Sequence, residues 1–200
     1  MDTPSGPPVE LLQRVDDAQR RFDDAIAGLD DVAIGRSSDL PGWTVGHLLT
    51  HIARNADSVV WRLEGAAQGE LRDQYPGGLA QRALDIEGGA TRAAEALAAD
   101  VRQTSAAVEL VMAELPAAAW DAPSRTSRGV VESSRDAVLS RWREVVVHHG
   151  DLGLGPVPLP TDLVDAWLPR ELPRLAERAD PALLLSWIIG RGDPPALTAW

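Results

Sequence analysis

The feature of this sequence that most constrains its fold is the spacing of its apolar residues. In four long stretches these residues recur every three or four positions, which is the period of an amphipathic α-helix. The stretches cover residues 9–29, 44–65, 79–115 and 133–150. Gly88 and Gly89 predict a break or bend in the third stretch. Four long helices joined by loops predict a mainly α protein built as an antiparallel four-helix bundle.

Two of these stretches begin with residues that typically cap helices. Thr44 precedes the second stretch and is a predicted N-cap. Ser133 precedes the fourth, and Asp136 follows it three residues later, which is the pattern of a capping box. Both helices are therefore expected to start at well-defined positions.

The two ends of the chain depart from the bundle pattern. Residues 1–8 are expected to be disordered, and residues 9–155 form the predicted bundle. Residues 156–200 form a short C-terminal region of predicted α/β character. There, residues 160–179 predict a helix with breaks at Pro169 and Pro173, and the run "ALLLSWIIG" predicts a buried strand or apolar segment.

Charge and composition exclude several classes of function. The net charge is −11, which disfavours a nucleic-acid partner. No apolar run is long enough to span a bilayer and "MDTPSGPPVE" does not resemble a signal peptide, so a cytoplasmic location is predicted. The sequence contains no cysteine, which excludes disulfides, cysteine-ligated zinc and a cysteine nucleophile. A thiol used by this protein must therefore be supplied as a separate molecule.

The four histidines of the chain lie in only two places, one on each of two predicted helices. His51 follows Val45 by six residues, and His148 follows Trp142 by six, so both occupy the same margin of an apolar face. Glu144 precedes His148 by four residues, so the two side chains share one face of the helix. These three residues predict one metal site. Three ligands and one open position suit catalytic zinc, although iron, nickel or manganese also accept such ligands.

Each of these residues also has an ordinary structural interpretation. Glu144 and His148 could form a surface pair worth about 0.2–0.5 kcal/mol. His149 falls on the core face and is expected to pack there rather than bind metal. His47 could support or compete with His51, and Asp151 could orient a ligand imidazole or belong to the loop.

Two sequence motifs resemble those of a known family. "LPGWTVGHLLTHIARNAD" and "RWREVVVHHGDLG" resemble the metal-site motifs of the mycothiol-dependent maleylpyruvate isomerase family, within the DinB-like four-helix-bundle superfamily. The resemblance covers roughly residues 8–155. It implies zinc ligands at His51, Glu144 and His148, the same residues that the helical spacing brings forward.

Two arginines acquire expected roles from the same resemblance. The ending "LLLSWIIGRGDPPAL" resembles the last segment of the family's longer α/β C-terminal region, which implies a catalytic role for Arg191. The segment "RALDIE" resembles one that borders the family's site, which implies anion or substrate binding by Arg82. A solvated helix position is the alternative for Arg82.

The resemblance implies conversion of maleylpyruvate to fumarylpyruvate, with zinc or another divalent metal and mycothiol as cofactors. The thiolate would add to the conjugated double bond, allow rotation and then leave. Partners would be an electrophilic small molecule and a low-molecular-weight thiol. A mycothiol S-transferase, a metal-dependent hydrolase and a non-catalytic binding bundle remain alternatives, and the oligomeric state is open.

Overall fold

The computed structural model describes residues 6–197. Contacts between Cα atoms divide the chain into two compact units, Met1–Val157 and Pro158–Trp200. The predicted disorder of residues 1–8 falls mostly on residues 1–5, which lie outside the described part of the chain.

The first unit contains six helices, two short strands and one 3₁₀ turn in its described residues. The helices are α1 Val9–Ile26, α2 Asp31–Ile34, α3 Val45–Ala67, α4 Gly78–Gly89, α5 Ala94–Glu114 and α6 Ser134–Asp151. The 3₁₀ turn Ala117–Trp120 leads into strands β1, Pro123–Arg125, and β2, Val131–Ser133, which pair antiparallel. The third sequence stretch is thus divided after Gly89, where the glycine pair predicts a break.

Four of these helices build the bundle core. Helix α3 packs against α5 and α6, and α1 packs against α6 and α5. Their apolar faces bury Phe22, Leu48, Ile52, Leu97 and Trp142. Burial of these faces removes apolar surface from water and is the main force that holds the helices together. The predicted mainly α bundle is confirmed.

The predicted caps fix the starts of the two helices that carry the histidines. The Thr44 side chain accepts a hydrogen bond from the His47 backbone N–H at the start of α3. At the start of α6, the Ser133 side chain accepts a hydrogen bond from the Asp136 backbone N–H, and the Asp136 side chain accepts one from the Ser133 backbone N–H. Together they form a capping box. Such caps occupy N–H groups that otherwise have no partner in the first turn.

Helix α4 lies very close to α3 because glycines occupy the contact. A Cβ atom at Gly46 would clash with the carbonyl of Ala90, and one at Gly89 would lie 2.5 Å from the Thr50 Cγ2 atom. The absence of both side chains lets the two backbones approach. Helix α4 therefore runs beside the turn of α3 that contains His51.

The second unit is helical, which corrects one prediction from the sequence. Its elements are α7 Thr161–Glu171, a 3₁₀ turn Leu172–Arg174, α8 Leu175–Arg178 and α9 Pro181–Ile188. Most of the "ALLLSWIIG" run, predicted as a buried strand or apolar segment, lies in helix α9, and Leu183 and Leu185 on it are 58% and 59% exposed.

The physical reason for the helix is its N-terminus. The Asp180 side chain accepts hydrogen bonds from the Ala182 and Leu183 N–H groups, and Pro181 occupies the first helical position. Both features favour a helix start, whereas a short apolar run fits a strand and a helix equally well. The predicted break near Pro173 coincides with the 3₁₀ turn, but Pro169 lies within α7.

None of the helices formed by residues 6–197 combines the length and apolar character needed to cross a bilayer.

Candidate metal centre

Helices α3 and α6 bring together the three residues predicted to bind metal. His51 Nε2 lies 3.1 Å from Glu144 Oε2 and 3.1 Å from His148 Nε2. His148 Nε2 lies 3.4 Å from the same Glu144 oxygen. All three residues are buried, with exposed fractions of 4–6%. One nitrogen or oxygen of each residue therefore points into a single small space.

The spacing of these atoms fits a divalent metal. Zinc bonds of about 2.0–2.1 Å in tetrahedral geometry place the ligand atoms roughly 3.3 Å apart. The three observed separations, 3.1, 3.1 and 3.4 Å, lie close to that value. Two imidazoles and one carboxylate are also ligand types that zinc accepts. The residues present thus fit a metal with one coordination position left for another molecule.

The charge states within this cluster suit a cation. Burial lowers the pKa of His51 to about 4, so this imidazole is neutral near neutral pH. Burial alone would raise the pKa of Glu144, but hydrogen bonds with His148 and His51 hold it well below its usual value. For His148, burial acts to lower the pKa, yet hydrogen bonds with Asp151 and Glu144 raise it overall. The cluster therefore contains an ionised carboxylate, a neutral His51 imidazole, and a His148 imidazole whose extra proton a cation would displace.

Two further side chains orient this cluster. Asp151 Oδ2 lies 2.7 Å from His148 Nδ1, the nitrogen that faces away from the cluster. Arg143 Nη2 donates to Glu144 Oε1 at 2.6 Å, which leaves Oε2 to face the histidines. The sequence left open whether Asp151 orients a ligand imidazole or belongs to the loop, and the structure places it against His148. Arg143 was missed, because a neighbour one position away on a helix gives no spacing signal.

Arg82 reaches the cluster from α4. Its Nη2 atom lies 2.9 Å from His51 Nδ1, and its guanidinium carbon lies 5.5 Å from the centre of the Tyr75 ring. The structure therefore places this predicted anion-binding residue beside His51. The Trp43 and His51 rings pack edge to face, with ring centres 5.4 Å apart.

The remaining histidines lie outside the cluster. His47 Nδ1 lies 2.8 Å from Thr44 Oγ1, and His47 Nε2 lies 3.2 Å from Glu87 Oε2. His149 is half-buried and packs edge-on against Phe22, with ring centres 6.0 Å apart.

The last predicted site residue, Arg191, belongs to the second unit. It follows α9 and Gly190, whose φ of +73° ends the helix in the left-handed region. Arg191 N–H donates to the Ser186 carbonyl at 2.8 Å, and Ser186 Oγ donates to the Arg191 carbonyl at 2.7 Å. The Arg191 residue is exposed.

A buried arginine near the cluster was not anticipated. Arg141 Nη1 donates to the Ile52 carbonyl and to Asn55 Oδ1, at 2.8 and 2.9 Å. Arg141 Nη2 donates to Gln19 Oε1 and Ser105 Oγ, at 3.0 and 3.2 Å. One guanidinium thus links all four bundle helices. An arginine within the apolar stripe of α6 was the available signal.

The fold and the site define a class: helical bundles in which histidines and a glutamate from two helices can hold one metal ion. Residues 15–153 match the sequence family described as the mycothiol maleylpyruvate isomerase N-terminal domain. Because this match covers most of the chain, the protein belongs to that family.

Two solved structures resemble this chain. A crystal structure of a histidine-to-alanine variant of the mycothiol-dependent maleylpyruvate isomerase is 25% identical, with a TM-score of 0.75, and the match covers 80% of this chain and 67% of that one. Another crystal structure of the mycothiol-dependent maleylpyruvate isomerase is 21% identical, with a TM-score of 0.80 and 97% of both chains covered. The second likeness establishes the fold alone. No curated protein gives a significant match.

Proposed function

We propose that this protein is a metal-dependent and mycothiol-dependent isomerase that converts maleylpyruvate to fumarylpyruvate in the cytoplasm. The convergence of His51, Glu144 and His148 within 3.4 Å carries the proposal, because it supplies three ligands and leaves one position open. Membership of the family and the likeness to the isomerase structure that is 25% identical support the choice of reaction.

His51, Glu144 and His148 would hold the metal, which would keep a bound thiol in its thiolate form as a nucleophile for a conjugated double bond. The protein's own contribution is to hold the ligands in place. Asp151 keeps the His148 proton on Nδ1, which leaves the Nε2 lone pair for metal. Arg143 neutralises the outer oxygen of Glu144. The buried position of all three ligands limits the access of water and strengthens electrostatic attraction.

Two arginines are proposed to bind the substrate's carboxylates. Arg82 already lies at the edge of the ligand cluster, and a guanidinium can hold a carboxylate through two parallel hydrogen bonds. Arg191 is the second proposed residue, with a catalytic role in holding the reacting substrate, and its support is the resemblance of its segment to the family's last segment. Because Arg191 is exposed, its guanidinium is available to an anion.

The central experiment measures isomerisation of maleylpyruvate by the zinc-loaded protein. We expect turnover with added mycothiol, weaker turnover with cysteine, and none without a thiol. Turnover without any thiol would contradict the proposal and favour hydrolysis at a metal-bound water. Accumulation of a stable thioether instead of fumarylpyruvate would identify the alternative function, a mycothiol S-transferase, which the same open position can serve. A protein that binds neither metal nor thiol would be a non-catalytic bundle.

Arg191 is tested by its alanine variant. Loss of a hydrogen bond to a charged group costs roughly 1.5–3 kcal/mol, or about one to two orders of magnitude in rate. We expect Arg191→Ala to lower kcat/KM by that amount with unchanged metal content, and Arg191→Lys to recover part of it. A change smaller than about threefold would remove Arg191 from the site.

A further inference from the structure

The second unit exposes an unusual amount of apolar surface for its size. Its large apolar side chains that are 42–64% exposed within residues 158–197 are Leu159, Leu168, Leu172, Leu183, Leu185, Trp187, Ile188, Ile189 and Leu197. The same number of large apolar side chains is exposed in the whole of residues 6–157. Among residues 158–197, the buried apolar side chains are Leu163 and Leu184. The described part of this unit therefore has almost no core of its own.

Helix α9 concentrates this exposed surface. Leu185, Ile188 and the C-cap residue Ile189 follow one another at helical spacing and form one apolar stripe. Leu183 and Trp187, four residues apart, lie along another side of the same helix. A surface helix normally turns a polar face to water, which α9 does not do. A patch of this kind on a soluble protein indicates an interaction site.

The absence of charge on α9 indicates which kind of partner it fits. The run from Pro181 to Gly190 contains no charged residue. Helices that lie on membrane surfaces usually carry Lys and Arg on their polar face, and a net charge of −11 disfavours anionic lipids. In a two-fold symmetric dimer the same face of each copy meets the other. An uncharged apolar face suits that contact, because it brings no like charges together.

The exposed area of α9 is large enough for a small dimer interface. Its five exposed apolar residues offer roughly 100 Å² each. Two copies of α9 packed together would therefore bury about 1,000 Å² in total, which is near the lower limit for a specific interface. Oligomerisation is also a common way for a unit of this size to complete a core. Disulfides, another such way, are excluded because the sequence contains no cysteine.

We propose that α9 packs against α9 of a second copy of this chain and makes the protein a two-fold symmetric dimer. Leu185, Ile188 and Ile189 form the centre of the interface. Leu185 lies next to the midpoint of Pro181–Ile188, so in an antiparallel helix pair it lies close to the two-fold axis. The dimer does not depend on the proposed reaction, because it uses no residue of the ligand cluster.

The test is sedimentation velocity of the full chain over about 1–100 µM, the range in which a small interface should dissociate. We expect a monomer–dimer equilibrium that is the same with and without zinc. Leu185→Glu should weaken dimerisation at least about a hundredfold, because symmetry places two carboxylates in an apolar contact. Leu110→Glu is the matched control, since Leu110 lies on α5 and is 59% exposed, as Leu185 is. It should dimerise like wild type, and circular dichroism should show both variants folded.

Cross-linking supplies an independent measurement of the same contact. Because the sequence has no cysteine, Leu185→Cys introduces a single thiol into each chain. Mild oxidation should join two copies of this variant much faster than two copies of Leu110→Cys. Equal rates for the two variants would refute this arrangement of α9.

Three further results would overturn the dimer. Wild-type chain that stays monomeric at every concentration would do so. Leu185→Glu that dimerises as well as Leu110→Glu would place the contact elsewhere on the molecule. A monomer that binds phosphatidylcholine vesicles through α9, and loses that binding in Leu185→Glu, would assign the face to lipid instead.

Discussion

Two buried polar centres lie about one helical turn apart on α6, and they differ in how their polar groups are paired. Arg141 is 1% exposed, and its guanidinium donates to four neutral acceptors on α1, α3 and α5. In the ligand cluster, two imidazole nitrogens and a carboxylate oxygen point at one another across 3.1–3.4 Å. The first centre satisfies its own groups, whereas the second concentrates lone pairs in one place.

The difference separates a group that supports the fold from a group that supports chemistry. Burial lowers the pKa of Arg141 to about 10, which still leaves it charged near neutral pH. A buried charge with a complete set of hydrogen bonds holds its neighbours in one arrangement. A group of lone pairs with few donors has its best partner in a cation from solution. We therefore expect the first centre to govern stability and the second to govern metal binding.

The largest predicted effect is loss of metal from the ligand variants. His51→Ala, Glu144→Ala and His148→Ala each remove one of three ligands, so zinc should no longer purify with the protein, and isomerisation should fall to background. Metal content measured by atomic emission tests this. Because these variants leave Arg141 and the apolar core intact, far-ultraviolet circular dichroism should stay helical.

His149→Gln is the matched control for those variants. His149 neighbours His148 in sequence but packs against Phe22 outside the cluster. It should keep one zinc per chain. If any ligand variant also retains one zinc per chain, that residue is not a ligand.

For Arg141→Met we predict the opposite of the ligand variants, which is a loss of stability with zinc binding retained. Removal of the guanidinium leaves buried acceptors on three helices without donors, each at a cost of about 1–3 kcal/mol. We expect the free energy of unfolding to fall by about 3–5 kcal/mol in a urea titration. The folded fraction at low temperature should still bind zinc. Stability equal to wild type would show that the network contributes nothing, and the contrast between the two centres would fail.

Sequence reasoning located the ligand cluster because helix spacing fixes which residues share a face. His51 and His148 lie at equivalent positions on two apolar stripes, and the helices that bear them do pack together. The Arg141 network could not be predicted from the sequence. Its partners Gln19 and Ser105 lie on other helices, and only the packing of those helices determines which of their residues meet Arg141.

The C-terminal unit was harder to predict than the bundle. The run from Ala182 to Gly190 is too short and too uniformly apolar for its period to distinguish a strand from a helix. The N-cap Asp180 and the first helical residue Pro181 favour a helix over a strand in this run. Weighing such capping residues above hydrophobicity would have given the correct element.

A smaller effect is predicted for Asp151, which touches the cluster without belonging to it. Asp151→Asn keeps the size of the side chain but removes the charge beside His148 Nδ1. Loss of such a supporting group typically weakens metal affinity about 10- to 100-fold. Competition with a chromogenic chelator measures the change. Asp162→Asn, in the second unit, is a comparison substitution of the same type and should leave affinity unchanged.

Acid should release the metal before it unfolds the bundle. Zinc binding requires His148 without its Nε2 proton, and the pKa of His148 is raised above 6.5 because hydrogen bonds with Asp151 and Glu144 outweigh burial. Protons therefore compete with metal throughout the range below that raised pKa, and apparent affinity should fall about tenfold per pH unit there. In Asp151→Asn this dependence should begin at lower pH, because the anion that raises the pKa is gone. An unshifted profile would assign the competing proton to another group.

The smallest predicted effect has the reverse sign and concerns Arg82. A neutral imidazole that binds metal through Nε2 carries its proton on Nδ1 and cannot accept a hydrogen bond there. Arg82 donates to His51 Nδ1 at 2.9 Å and so favours the competing tautomer, while its charge also repels a cation. Arg82→Ala should therefore tighten zinc binding about fivefold, corresponding to one hydrogen bond of about 1 kcal/mol. The same change should lower turnover, because a substrate carboxylate loses its partner. Arg92→Ala, which removes an arginine that pairs with Asp100, should alter neither quantity. Weaker zinc binding in Arg82→Ala would mean that Arg82 supports the ligand cluster rather than competing with the metal.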